Sequence, residues 1–81
     1  MSAVTPEAVA AAAAKAAEEH RLQEAQWAAL FFAAGRAAEA LANGDTTAAK
    51  HWLDEASEAE GDLLGECEIV GPLLDAMEVD P

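Results

Sequence analysis

Residues 41–49 read LANGDTTAA and place a turn between two long stretches that lack turn signals. Gly44 suits the left-handed backbone conformation that often follows a helix end. Asp45 or Thr46 can cap the first free amides of a following helix. Because the connection is only three residues long, the flanking helices should be antiparallel neighbours. The segment therefore predicts an all-α fold built on an antiparallel helical hairpin.

The stretch before this turn is typical of a long alanine-rich helix. Alanine, the best helix former, supplies 23 of the 81 residues. Thr5 can cap the helix, Pro6 fits its first position, and Glu7 complements the helix dipole. We predict a flexible tail over residues 1–5 and a helix over about residues 6–42. A break near Glu19-His20 stays open as an alternative.

The stretch after the turn predicts a second helix over about residues 46–70. Its apolar positions recur every three or four residues and keep phase through Gly61 and Gly65, which favours one continuous helix. Gly71-Pro72 is predicted to end this helix, because proline removes a backbone donor. A short turn over 73–77 and an acidic tail over 78–81 complete the prediction of a single domain over 6–77.

Two apolar stripes lie side by side on the arm that precedes the turn, so its apolar band is too wide for one partner helix. The first stripe consists of Trp27, Leu30, Phe31, Ala34, Ala38 and Leu41, and the second of Leu22, Ala25, Ala29 and Phe32. One stripe can pack on the second helix. Either a folded-back N-terminal helix or a second copy of the chain must cover the other, and we take a homodimer as the default.

The chain is strongly acidic, with 16 acidic and 4 basic residues and a net charge of −12. Such a surface repels nucleic acid and anionic membranes, and it attracts a basic partner protein. The acid is concentrated in the second helix and its surroundings. We predict that partner-binding residues include Asp54, Glu55, Glu58, Asp62 and Glu66. The alternative interpretation is that these acids only keep the protein soluble.

Phe31 and Phe32 are a second candidate for partner binding. Adjacent residues on a helix point about 100° apart, so the two rings do not both face the same neighbouring helix. Aromatic side chains often carry much of the binding energy of an interface. At least one of the two is therefore predicted to contact a second copy or a target protein.

Candidate catalytic and metal-binding residues are few. His51, Asp54 and Glu55 share one helix face, but a zinc site needs ligands from more than one element, and we interpret them as a solvated surface. Cys67 lies on the apolar stripe of the second helix, so we predict a core residue. Glu66 and Glu68 flank it and disfavour a reactive thiolate. The sequence predicts no enzyme, no cofactor and no metal.

The single cysteine and the absence of a basic, apolar leader favour a cytoplasmic protein without a membrane segment. The stretch from Gly44 to Ala56 resembles the turn and second helix of a tetratricopeptide hairpin, since Gly44, Ala49, Leu53 and Ala56 have that spacing. The likeness covers about one repeat and implies shared hairpin geometry. In size and acidity the chain also resembles short helical phage and mobile-element proteins that block host factors.

Two functional hypotheses follow from these observations. The first is a non-catalytic interaction module that binds a basic protein surface, such as a phage-type inhibitor of a host protein. The second is a small structural or chaperone-like subunit of a larger assembly, held by apolar helix packing. The two differ in their sensitivity to salt, because only the first depends on charge.

Overall fold

The structure is a computed structural model that describes residues 4–79, and within this range the chain is entirely helical apart from its connections. The predicted all-α class is confirmed. Residues 1–3 and 80–81, on which most of the two predicted tails fall, lie outside the described residues. The helices are α1 (Pro6–Glu19), α2 (Glu24–Ala42), α3 (Thr46–Leu64) and α4 (Val70–Val79).

The prediction of one helix over 6–42 is wrong, because the chain breaks between α1 and α2 at the place left open near Glu19-His20. Glu18 and Glu19 put negative charge at a helix C-terminus, where the dipole disfavours it. Arg21 then adopts the left-handed conformation, with φ of 52°. The Leu22 N–H donates to the carbonyl of Ala17 at 3.1 Å, which closes the helix end.

α2 and α3 are each capped at their N-terminal end by a nearby side chain. At the start of α2 the Gln23 N–H donates to Oε1 of Gln26 at 3.0 Å. At the start of α3 the Ala48 N–H donates to Oδ1 of Asp45 at 3.0 Å. Such caps satisfy amides that have no partner within the helix. The turn at 43–45 therefore stops one helix and starts the next, as its sequence predicts.

The second predicted helix, over 46–70, is also interrupted. Gly65 has φ of 81° and its N–H donates to the carbonyl of Gly61 at 2.7 Å, which ends α3. Pro72 lies in the first turn of α4, where a helix does not need its N–H, so proline is compatible with the helix that it was predicted to end. The predicted short turn over 73–77, and Glu78 of the predicted tail, belong to α4.

α2 and α3 make the most extensive contacts, α1 packs against α2, and α4 packs against α3. An enclosed apolar space is lined by residues from all four helices. We call the side of the α2–α3 pair that faces α1 and α4 the closed side. Its buried hydrophobic residues are small or aliphatic: Val9, Ala13, Leu30, Ala33, Ala34, Ala37, Leu53, Ala56 and Val70.

The predicted stripes of α2 are only partly correct. Leu30 and Ala34 are buried, but the residues that join them in the core are Ala33, Ala37 and Ala40, which neither stripe contained. Alanine gives little hydropathy contrast, so periodicity did not identify these positions. Their small side chains let the helices approach closely and leave the large aromatic rings outside the core.

Candidate protein-binding groove

An open groove of about 540 Å³ runs along the α2–α3 pair on the side away from α1 and α4. Its lining comes from α2 and α3 alone, whereas the enclosed space on the closed side involves every helix. Gln26, near the start of α2, and Leu63, near the end of α3, both line the groove. The groove is therefore the uncovered face of the helix pair.

The two walls of the groove differ in chemistry. The α3 wall carries three carboxylates, from Glu55, Glu58 and Asp62. The α2 wall is mainly apolar and includes the small residues Ala29 and Ala33. Among the described residues that line the groove, none is Lys or Arg. The combination of an apolar wall and an acidic wall suits a ligand that is itself apolar on one side and cationic on the other.

Phe32 lies at the rim of this groove and is 56% exposed. Its ring meets the ring of Trp52 edge to face, with centroids 5.7 Å apart. The guanidinium carbon of Arg36 lies 5.2 Å from the Phe32 centroid, within the range of a cation–π contact. Phe32 is thus held by two neighbours while much of its surface faces solvent. A held, exposed aromatic ring is well suited to contact a partner, because little side-chain freedom remains to be lost.

Phe31 is 51% exposed and does not line the groove. Its ring packs edge to face on Trp27, with centroids 4.6 Å apart. A shallow surface depression connects the two phenylalanines along α2 and also involves Gly35, Arg36 and Glu39. Phe31 therefore extends the apolar surface beyond the groove rim without lining the groove itself.

The predicted acidic residues separate into three locations. Glu55, Glu58 and Asp62 line the groove together with Phe32. Asp54 lies elsewhere on α3, beside His51, and its carboxylate is 4.0 Å from Nζ of Lys50. Glu66 lies in the connection between α3 and α4. The structure thus brings four of the seven predicted site residues to one groove.

Glu66 influences its neighbour Glu68 in the exposed α3–α4 connection. A side-chain hydrogen bond between them, together with the charge of Glu66, raises the pKa of Glu68. The positive charges of His20 and Lys15 act in the opposite direction and lower this pKa. Neither glutamate lines the groove.

Glu60 is the residue of greatest structural consequence that the sequence analysis missed. It is fully buried, and its two carboxylate oxygens accept the N–H groups of Ile69 and Val70 at 3.0 and 2.9 Å. This contact satisfies free amides at the start of α4 and ties that helix to α3. The spacing of Glu60 could have indicated its burial, because Ala49, Leu53, Ala56 and Glu60 are separated by steps of three and four residues and so share one face of α3.

The predicted burial of Cys67 is wrong, because the residue is exposed in the α3–α4 connection. Its Sγ lies 3.1 Å from Oγ of Ser57, which donates to it, and the thiol donates to the Ser57 carbonyl at 3.2 Å. The apolar series of α3 ends before Cys67, because Gly65 turns the chain. The thiol therefore links the connection to α3 by polar contacts.

Within residues 4–79, no three His, Cys, Asp or Glu side chains are grouped in a way that could hold a metal ion. In the same range no helix combines the length and apolar character needed to cross a membrane. No family model matches the chain, and neither a curated protein nor a solved structure is significantly similar to it.

Proposed function

We propose that the chain is a non-catalytic protein-interaction module that binds a basic partner protein through the groove between α2 and α3. The observation that carries the proposal is the position of Phe32, whose half-exposed ring lies at the rim of a groove with three carboxylates on its other wall. An apolar contact and a row of like charges together give both affinity and selection of a cationic partner.

The proposed module acts as an inhibitor when the surface that it covers is needed by its target. A net charge of −12 attracts a basic surface from a distance and accelerates the encounter. Basic surfaces commonly bind nucleic acid or other anions. A chain that occupies such a surface excludes its ordinary ligand by overlap and by charge repulsion.

A homodimer through the same groove is less favoured. It would bring the carboxylates of two chains together, and each chain already carries 12 excess negative charges. Like charges in close contact oppose association. Because α1 packs on α2 within one chain, the closed side does not need a second copy to cover it.

Site-specific photo-crosslinking tests the proposed function in extracts of the cells that produce the chain. A benzoyl-phenylalanine probe replaces Phe32, and in a matched variant the same probe replaces Ala14, which is exposed on α1. We expect a discrete cross-linked protein from position 32 only. High salt should weaken the cross-link, and so should combined reversal of Glu55, Glu58 and Asp62 to Lys.

Equal cross-linking from both positions, or none from position 32, would contradict the proposal. A cross-link from position 32 that is insensitive to salt and to charge reversal would contradict it as well. That last result would instead favour the structural-subunit hypothesis, in which apolar packing alone holds the chain in an assembly.

A further inference from the structure

The groove has the shape that two packed helices offer to a third helix. On α3 its lining extends from Trp52 to Leu63, which corresponds to about 16 Å or three helical turns. Across from these residues the α2 wall has Ala29 and Ala33, whose small side chains permit close approach of a helix backbone. The groove therefore offers an open surface about three turns long between two packed helices, as helix-in-groove recognition requires.

The carboxylates of the α3 wall form a regular row. Glu55, Glu58 and Asp62 are separated by steps of three and four residues, so they lie along one side of α3 over about 10 Å. A partner helix that lies along the groove would present residues at the same steps. If three of these residues were Lys or Arg, each could contact one carboxylate of the row.

The apolar contact defines the other side of the partner helix. Phe32 and Trp52 both line the groove, and their rings meet edge to face. An apolar side chain of the partner helix could cover the exposed Phe32 ring while its cationic face meets the acidic wall. The expected ligand is thus amphipathic, because the two walls require different chemistry from its two sides.

We propose that the groove accepts a single cationic amphipathic α-helix of a partner protein, of about three to four turns. This inference rests on the proposed function and specifies the form of the partner. A second copy of the chain does not fit the requirement. Its only basic residues are Lys15, Arg21, Arg36 and Lys50, so no two of them are close enough in sequence to form a cationic row on one helix.

A synthetic peptide provides the test without knowledge of the natural partner. The probe is an amphipathic Leu/Ala/Lys helix of about fifteen residues with its lysines in steps of three and four. One control peptide has the same composition with its lysines and leucines distributed around the helix. We expect the amphipathic peptide to bind the full chain at least about tenfold more tightly than this control, because only it can meet both walls.

Matched variants of the chain locate the binding site. Glu58→Lys should weaken peptide binding about tenfold, whereas Asp54→Lys should change it less than about threefold, since Asp54 lies outside the groove. Phe32→Ala should weaken binding more than Phe31→Ala does. Affinities are measured by fluorescence anisotropy of a labelled peptide at low and high salt, and circular dichroism verifies the helix content of each variant.

Equal binding of the two peptides, or equal effects of Glu58→Lys and Asp54→Lys, would show that charge alone attracts the ligand and would overturn the helix-in-groove inference. The proposed function would survive that result if position 32 still gives its salt-sensitive cross-link. Light scattering adds one more outcome. A dimer that Phe32→Ala converts to a monomer would identify a second copy as the occupant and would overturn the inference too.

Discussion

The closed side and the open groove of the α2–α3 pair share Leu30 and Ala33 but differ in where the aromatic residues lie. The closed side is made of alanines together with Leu30, Leu53 and a few other aliphatic residues. The aromatic residues Phe32 and Trp52 lie on the groove side. Large aromatic side chains usually dominate a core, yet none of the four in this chain belongs to the buried core. Helix packing in this chain therefore depends on small side chains, and the aromatic rings stay on the surface, where a partner can contact them.

Replacement of leucine on the two sides should give the largest contrast in stability. Leu53 is fully buried on the closed side, so Leu53→Ala should lower the free energy of unfolding by about 2–5 kcal/mol. Leu63 lines the open groove and is only half-buried, so Leu63→Ala should cost about 1 kcal/mol. Urea unfolding followed by circular dichroism measures both. Equal losses would mean that the groove is as well packed as the core.

The buried carboxylate of Glu60 belongs to the closed side and has an exposed counterpart in Glu58. Glu60→Gln keeps the side-chain size but replaces one acceptor oxygen with an amide donor, which then opposes the N–H of Ile69 or Val70. The free energy of unfolding should fall by about 1–3 kcal/mol. Thermal or urea unfolding measures this loss, and amide hydrogen exchange at these two residues should accelerate.

Glu58→Gln is the control for this experiment, because Glu58 is exposed and makes no comparable contact with α4. It should leave stability within about 0.5 kcal/mol of the parent chain. If Glu60→Gln were equally harmless, the carboxylate would not be what holds the start of α4 against α3.

Replacement of two glycines by alanine should change the free energy of unfolding by smaller amounts and in opposite directions. Gly65 ends α3 with a positive φ and lets the chain return as α4 on the closed side, so Gly65→Ala should destabilise by about 1 kcal/mol. Gly35 lies within α2 on the exposed surface near the phenylalanines, and an added methyl group meets no atom within 4 Å. Gly35→Ala should therefore stabilise by about 0.5–1 kcal/mol. Thermal unfolding of the two variants tests the signs, and the same sign in both would contradict this assignment.

The helical class and the central turn were predictable from the sequence, because Gly44 and Asp45 provide local signals that tertiary packing did not override. The two other breaks were harder to predict. Arg21 adopts a left-handed conformation that is uncommon for residues other than glycine. Pro72 gave a stop signal that is equally compatible with the first turn of a new helix.

The candidate site could be predicted by residue type but only partly by location. Helical periodicity predicted that at least one of Phe31 and Phe32, together with the acids at 55, 58 and 62, is available to a partner. The structure places Phe32 and these three acids in the lining of one groove. Asp54 and Glu66 are acidic residues that were predicted together with these three. Asp54 lies on another part of α3, and Glu66 lies in the α3–α4 connection. Glu60 was missed because an acidic residue in a buried stripe is identified only once its distant amide partners are known.

The smallest expected effect concerns Glu68 in the connection that leads from α3 to the closed side. Contact with Glu66 raises the pKa of Glu68 in the folded chain above its ordinary value of 4.5. The folded state therefore retains this proton more strongly than the unfolded state. The resulting stability is fully present below the unfolded pKa and is lost as the pH rises through the folded pKa.

The Glu68→Gln variant has a neutral side chain at every pH, so it does not lose this stability as the pH rises. The variant should be slightly more stable than the parent chain above the raised pKa, and the difference should shrink as the pH falls through the raised pKa and be smallest below about 4.5. Thermal unfolding across this pH range measures the effect. Glu66→Gln should reproduce the same profile, and the double variant should gain less than the sum of the two, because both changes relieve one contact. An additive gain would mean that each glutamate is repelled by the acidic surface in general, and not by its neighbour.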